Sequence, residues 1–269
     1  DLERARAFAS AAQAAVRRLR IHVKADTGMS RLGWLCDEGH RTESADAIAA
    51  VCGLPGLEVE GIYTHFANAD GDEAYTMGQF TRFLELLSEL EGRGITFPIR
   101  HCAASAAVLK YPCTHLDMVR PGVALYGHYP DPSCEGLDGV GLRPVMALKT
   151  RVASVKAVPA GTPVSYGCTH VLERDAELAA LTVGYADGLP RLCFDRLEVL
   201  IRGQRAPIVG RVCMDMCMAD ATGLGAAPGD EVELFGEHLP VEDTAALAGT
   251  IQYELLCAVS PRVPREYLN

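Results

Sequence analysis

The stretch IHVKADTGMSRLG, residues 21–33, decides the fold. Ile21–Asp26 reads as a short apolar strand, and the polar turn behind it leads into a helix expected to run through about Cys52. Before it, Asp1–Arg20 reads as an amphipathic helix, with Asp1 near its start and Arg17, Arg18 and Arg20 at its end, as the helix dipole prefers. After it the same unit returns. Gly61–Phe66 is a second strand, Tyr75–Gly92 a helix, Ile99–Ala104 a third strand and Met118–Pro121 a fourth. Strands recurring at roughly 30–40 residues with helices between them mean βα units around a parallel sheet.

Past about Val140 the pattern switches. Val145–Val158, Ala179–Val183, Leu197–Ile201, Pro207–Val209 and Glu231–Phe235 read as short strands separated by Gly/Pro turns, with one late helix at about Val241–Leu247. The Pro-, Asp-, Ser- and Gly-rich linker His128–Gly141 separates the two parts, giving an α/β domain over residues 1–135 and an all-β domain over 141–269. A closed barrel of βα units needs eight, and four are found. The chain also opens inside a helix without an initiator Met. Either the sheet is open or the first part of the protein is missing.

Composition narrows the role. The chain has 269 residues, 49% of them hydrophobic, which is ample for a core. Lys and Arg number 25 against 35 Asp and Glu, a formal charge of −10, and no run of basic residues exceeds two. That balance argues against nucleic acid or an anionic membrane as the main partner. No stretch reaches the ~20 apolar residues of a membrane span, and the N-terminus is not a signal peptide. The ten cysteines are scattered without CxxC spacing and read as reduced thiols of a cytoplasmic protein.

Polar residues gather at the C-terminal ends of the strands, where α/β barrels place their sites. The first strand delivers Lys24, Asp26 and the run Thr27–Arg31; the second delivers His65, the third His101 and Ser105, the fourth Arg120 and Gly122. A lone His at a strand end is most often structural; four strands aiming such groups at one mouth make a site without naming its chemistry. Asp26-Thr27-Gly28 and Tyr185-Ala186-Asp187-Gly188 are also ordinary turn sequences, and Tyr253 could be a core-edge aromatic. Cys213 and Cys217 among Met214, Met216 and Met218 faintly resemble a soft-metal site but read better as packing, and no other zinc-like spacing exists.

Whole phrases carry a resemblance. VKADTGMSRLG (Val23–Gly33), GIYTHFANAD (Gly61–Asp70), VRPGVALYG (Val119–Gly127), VSYG (Val164–Gly167), VGYADGLPR (Val183–Arg191), VGRVCMDMCMAD (Val209–Asp220) and YELLCAVSPRVPREY (Tyr253–Tyr267) occur in this order. Together they resemble the bacterial alanine racemases across essentially the whole chain. The resemblance implies the C-terminal half of a TIM-type (β/α)8 barrel followed by an all-β domain. It further implies pyridoxal 5′-phosphate as cofactor, an L/D-alanine interconversion through an external aldimine that supplies D-alanine for peptidoglycan, and a homodimer with shared sites. Racemisation needs two bases on opposite faces of Cα, with the cofactor as electron sink.

By the same resemblance Tyr166 is one base, supported by a His65–Arg120 chain, with Arg120 facing the pyridine nitrogen. A Tyr ordinarily titrates near ~10, so it needs such neighbours to serve as a base. Ser105, the backbone of Gly122 and Val123, and the Tyr253 hydroxyl hold the phosphate. Arg31 and the Met214 amide meet the substrate carboxylate. Lys24 matches a lysine often carried as a carbamate beside that arginine. Tyr185 and Arg191 line the entrance, Asp215 supports Met214, and Tyr166, Tyr185, Arg191 and Met214 serve the partner subunit's site.

Two departures stand out. The family's aldimine lysine, in a phrase like VKANAYGHG, has no match among Lys24, Lys110, Lys149 and Lys156, and the phosphate-binding Tyr of that phrase is absent too. Ala104 replaces the usual Asn beside Ser105. The expectation is a racemase lacking roughly its first four βα units and inactive alone. The competing readings are a serine/alanine racemase domain of the vancomycin-resistance type, a cofactor-sharing decarboxylase and a degenerate, non-catalytic homologue. Tyr253 favours alanine, since the serine-preferring relatives tend to carry a smaller polar residue there.

Overall fold

The computed structural model describes residues 1–139 and 141–268; Val140, where the sequence pattern changes, lies outside them. The chain divides into two compact units, Asp1–Arg143 and Pro144–Asn269.

The first unit runs α1 (Leu2–Ala14), β1 (Leu19–Asp26), β2 (Trp34–Leu35), α2 (Arg41–Cys52), β3 (Leu57–Tyr63), α3 (Glu73–Gly92), β4 (Ile99–His101) and α4 (Ser105–Lys110). The four strands form one parallel sheet in the order β2-β1-β3-β4. Val23, Ala25 and Ile62 pack in one cluster with Ile48 and Val51 of α2 and Phe83, Leu86 and Leu90 of α3. The spacing of that last trio is the apolar stripe of a surface helix. Asp72 caps α3 by accepting the Tyr75 N–H at 2.9 Å.

Three expectations need correction here. Helix α1 ends at Ala14, not Arg20, so Arg17, Arg18 and Arg20 lie beyond it. Val16 takes a φ of 52°, and the Leu19 N–H donates to Gly56 O at 2.9 Å, which draws residues 19 and 20 into β1. The strands are also displaced: β3 begins at Leu57 and ends at Tyr63, and β4 ends at His101, leaving His65 and Ala104 in loops. Met118–Pro121 is not a strand. A single parallel bridge joins Ala104 to Arg120, and the next donor in register, the Gly122 N–H, goes instead to Ser105 Oγ at 2.8 Å, where α4 begins.

The second unit carries β5 (Leu148–Val158), β6 (Pro163–Val164), β7 (His170–Val171), β8 (Ala176–Leu181), β9 (Glu198–Ile201), β10 (Gln204–Pro207), β11 (Cys217–Asp220), β12 (Glu231–Phe235), α5 (Val241–Ala248) and α6 (Gln252–Ala258). Six strands make an antiparallel sheet ordered β10-β9-β12-β5-β8-β11, and β6 and β7 form a separate hairpin. Leu181, Ile201, Ile208 and Leu234 are fully buried in its core. The strand expected at Pro207–Val209 lies earlier, because Gln204–Pro207 pairs back onto β9, while Ile208 makes only a bridge to Ala219. Helix α6, which bears Tyr253, is an addition to what the sequence suggested.

Candidate active site

Alternation along β1 buries Val23 and Ala25 against the helices and leaves His22, Lys24 and Asp26 on the other face. Past its end the chain wraps round one carboxylate. Buried Asp26 accepts from the N–H groups of Gly28, Met29 and Ser30 with the same oxygen, at 3.0, 2.9 and 3.0 Å. Gly33 closes the loop at a φ of +110°, where a Cβ would lie 2.6 Å from Lys24 O. Helix α3 braces this loop and the one after β3. Gln79 donates to His65 O at 3.2 Å and accepts from the Ala67 N–H at 2.8 Å, Arg82 donates to Thr27 O at 2.7 Å, and Thr27 bonds Thr64 at 2.7 Å. Arg31 therefore leaves a fixed turn, with its side chain exposed.

Arg120 is the hub of the first unit's cluster. Its guanidinium donates to His101 Nδ1, to His65 Nδ1 at 3.2 Å, to Thr64 O at 3.0 Å and to Cys102 O at 3.4 Å, and it lies 5.1 Å from the centre of the Tyr63 ring. An arginine only donates, so both imidazoles must present a bare Nδ1 and carry their proton on Nε2. Burial, with Arg120 next in weight, lowers both histidines to about 4; Arg31 and Lys24 add to the effect at His65. Burial, then Arg31, also pulls Lys24 below the ordinary lysine value, against the opposing pull of Asp26. A permanent cation thus sits between two neutral imidazoles. Cys102 donates its thiol to Thr114 O at 3.0 Å, and burial pushes it up to about 12, so it stays protonated.

The two histidines make stability acid-sensitive. An unfolded His binds its proton near pH ~6.5, whereas these bind theirs in the folded chain near 4. Below pH ~6.5 the unfolded state takes up protons that the folded state refuses, so folded stability falls as pH drops and levels off near 4. The loss has a ceiling of roughly 3 kcal/mol per histidine. Urea midpoints measured between pH 7.5 and 4.5 should decline through this window, and the decline should shrink when His65 is replaced by Gln.

Ser105 opens α4. Its Oγ accepts from the Gly122 N–H at 2.8 Å and the Ala124 N–H at 3.3 Å, tying α4 to the 3-10 turn Val123–Tyr126. Ala104 precedes it with no side-chain cap on the helix.

In the second unit Tyr166 stands on a 3-10 turn between β6 and β7 and is 71% exposed. Ser165 holds that turn by donating to Arg211 O at 2.6 Å. An open cleft of about 470 Å³ is lined by Ser165, Tyr166, Lys156, Cys213, Met216 and Met218 among others. Tyr185 and Met214 are brought together, since the Tyr185 and Ala186 N–H groups donate to Cys213 O and Met214 O at 3.0 and 2.9 Å. Their side chains, with that of Asp215, are exposed. Arg191 and Tyr253 stand on other elements, the 3-10 turn Arg191–Cys193 and α6. Cys217 is buried in β11, and no group of metal-ligating side chains occurs among the described residues.

Within the first unit the structure gathers Lys24, Arg31, His65 and Arg120 and sets Ser105 and Gly122 beside them. Sequence reasoning missed His22, Glu60, Tyr63, Gln79 and Arg82, and named His101 without a task. One signal was available: a period of two along Ile21–Asp26 puts His22 on the face of Lys24.

The chain matches the description "Alanine racemase, N-terminal domain" over residues 1–130 and "Alanine racemase, C-terminal domain" over residues 145–267. It is 49% identical to the alanine racemase of Desulforamulus reducens, covering 98% of this chain and 71% of that one. With the alanine racemase of Desulfovibrio desulfuricans it shares 47%, over 99% of this chain and 71% of the relative. A solved alanine racemase from Clostridium difficile 630 superposes with a TM-score of 0.90 at 37% identity, covering 98% of this chain and 68% of that chain.

Proposed function

This chain belongs to the alanine racemase family, and on that footing we propose that it interconverts L- and D-alanine with pyridoxal 5′-phosphate as cofactor. The observation that carries the reading is Arg120, a donor-only cation fixed between two neutral histidines beside Ser105. The parallel sheet of βα units supports the family's TIM-type barrel as the architecture of the first unit.

The residues fit the cofactor. Ser105 Oγ accepts two backbone N–H bonds and so keeps its own proton to donate outward, as a phosphate oxygen requires. A Cβ on Gly122 would meet nothing nearer than Ser105 Oγ at 3.8 Å, so the surface over it is open. Ser105, the backbone of Gly122 and Val123, and the Tyr253 hydroxyl would hold the phosphate, and Arg120 would face the pyridine nitrogen. The Gly122 N–H is turned to Ser105 in this structure and would be shared with the phosphate. When bound, the cofactor supplies the electron sink that makes a Cα proton removable.

Tyr166 takes and returns that proton on one face of the substrate. His65, with Nδ1 committed to Arg120, has its Nε2–H to donate to the oxygen of the partner subunit's Tyr166 and steady its charge. Arg31 and the amide of the partner subunit's Met214 bind the substrate carboxylate, and the turn around Asp26 keeps Arg31 in place. Lys24, drawn below its ordinary value, has more of the neutral amine that carbamylation needs; the carbamate would be an anion beside Arg31. Tyr185 and Arg191 form the entrance, with Asp215 behind Met214.

The other face of the substrate needs its own base. Lys24 is assigned beside Arg31, Lys110 is tied to Asp70 O and Ser133, Lys149 to Glu231, and Lys156 stands in β5 at the edge of the Tyr166 cleft; Tyr166 is the base this reading takes from the chain. The exposure of Tyr166, Tyr185 and Met214 within one chain supports a homodimer in which they complete the partner subunit's site. D-alanine for peptidoglycan, made in the cytoplasm, is the physiological role this reading gives. No helix among the described residues is long and apolar enough to cross a membrane.

Substrate choice is tested by offering L-alanine and L-serine to the polypeptide that carries these residues. Alanine should be preferred in kcat/KM by about tenfold to a hundredfold, the range in which a small pocket rejects an added hydroxyl. A serine preference would move the assignment to the serine/alanine type.

A further inference from the structure

Three links extend from Arg120 to the protein surface. His101, whose Nδ1 accepts from Arg120, has Nε2 only 2.8 Å from His22 Nδ1. His22 Nε2 in turn lies 3.3 Å from Glu60 Oε2, and Arg20 donates to the other oxygen of that carboxylate at 3.2 Å. Only one set of proton positions satisfies all three contacts. Arg120 must donate, so His101 carries its proton on Nε2 and gives it to His22 Nδ1; His22 then carries its own on Nε2 and gives it to Glu60. Protonating either ring, or reversing either tautomer, would set N–H against N–H.

The backbone is built for this chain. Between β1 and β3 the register passes from Ile21 opposite Val59 to His22 opposite Gly61, which makes Glu60 the extra residue of a β-bulge. Bulges re-aim a side chain, and this one delivers Glu60 to the His22 ring. Gly61 leaves the room that ring needs, since a Cβ there would lie 2.5 Å from His22 Nδ1. The Tyr63 ring stacks on His101 at 4.9 Å and 4°.

We infer that His22 and Glu60 are positioning residues for Arg120, acting through a one-way hydrogen-bond chain Arg120–His101–His22–Glu60 that fixes the tautomer of His101. The consequence for the reaction rests on the racemase reading, whereas the proton positions do not. Glu60, part-exposed at the far end of the chain, supplies the final acceptor that lets His22 and His101 hold the tautomers Arg120 demands.

The test uses the full chain labelled with 15N at histidine, at neutral pH and without cofactor, with His22 and His101 signals assigned from H22Q and H101Q. Long-range 15N–1H spectra should show both rings neutral and protonated on Nε2. Glu60→Leu should convert the His22 signal to a tautomer average and disturb that of His101. Glu60→Gln, whose amide oxygen still accepts, should restore the parent pattern. In the cofactor-loaded polypeptide Glu60→Leu should lower kcat severalfold at unchanged KM, with Glu60→Gln close to the parent. Either ring protonated on Nδ1 in the parent, or Glu60→Leu leaving both signals unmoved, overturns the inference. Should Glu60→Leu not fold, the parent and Glu60→Gln spectra decide it. A parent without racemase activity would count against the reading of function and leave the tautomer result standing.

Discussion

Replacing Tyr166 by Phe is expected to lower alanine racemisation by about 10²–10⁴-fold, the usual range for removing a positioned general base. The turn that carries it should survive. Ser165 and not the tyrosine hydroxyl holds the turn to Arg211, and the ring is 71% exposed, so unfolding free energy should change by less than about 0.5 kcal/mol. The loss should also be one-sided. With two bases on opposite faces, the variant keeps the base for one enantiomer only, and in D2O that enantiomer should still exchange its Cα hydrogen while the other does not. Exchange of both enantiomers at parental rates would remove Tyr166 from the reaction.

Arg120→Leu is expected to show the largest change in stability. The leucine fills the space but leaves His101 Nδ1, His65 Nδ1, Thr64 O and Cys102 O without the donor they share. Stranding acceptors in a part-buried site costs about 1–3 kcal/mol each where water cannot replace the donor, so a net loss of about 3–5 kcal/mol is expected in urea unfolding. Both histidines should titrate higher in this variant, because Arg120 is one of the charges that hold them down. The acid decline in stability should accordingly weaken. Unchanged histidine titration would mean that burial alone sets those values.

Much of this was legible in the sequence, for reasons that differ by residue. The βα alternation around Ile21–Asp26 and Gly61–Phe66 shows because apolar periodicity is local. Ser105, His65 and Arg120 could be placed at one mouth because strand ends in a parallel sheet share an edge. What escaped was non-local. The end of α1 is set by Leu19 pairing toward Gly56, a contact 37 positions away. Met118–Pro121 fails as a strand because the Gly122 N–H, next in register after the Arg120 bridge, turns to the Ser105 side chain. The bracing by Gln79 and Arg82 depends on which way α3 faces, and the Glu60 bulge leaves no mark on periodicity because one extra residue merely shifts the register. The site's identity was carried by seven phrases in order, while its internal wiring through His22 and His101 joins side chains that meet only in the fold.

The most direct measurement is chiral analysis of alanine incubated with the polypeptide that carries these residues and pyridoxal 5′-phosphate, begun separately from each enantiomer. Enantiomers have equal free energy, so a racemase must drive both reactions to the same equal mixture, without releasing carbon dioxide. Convergence on equal L- and D-alanine from both sides is the predicted result. Cofactor bound with neither enantiomer converted, or carbon dioxide released in place of the opposite enantiomer, would contradict it.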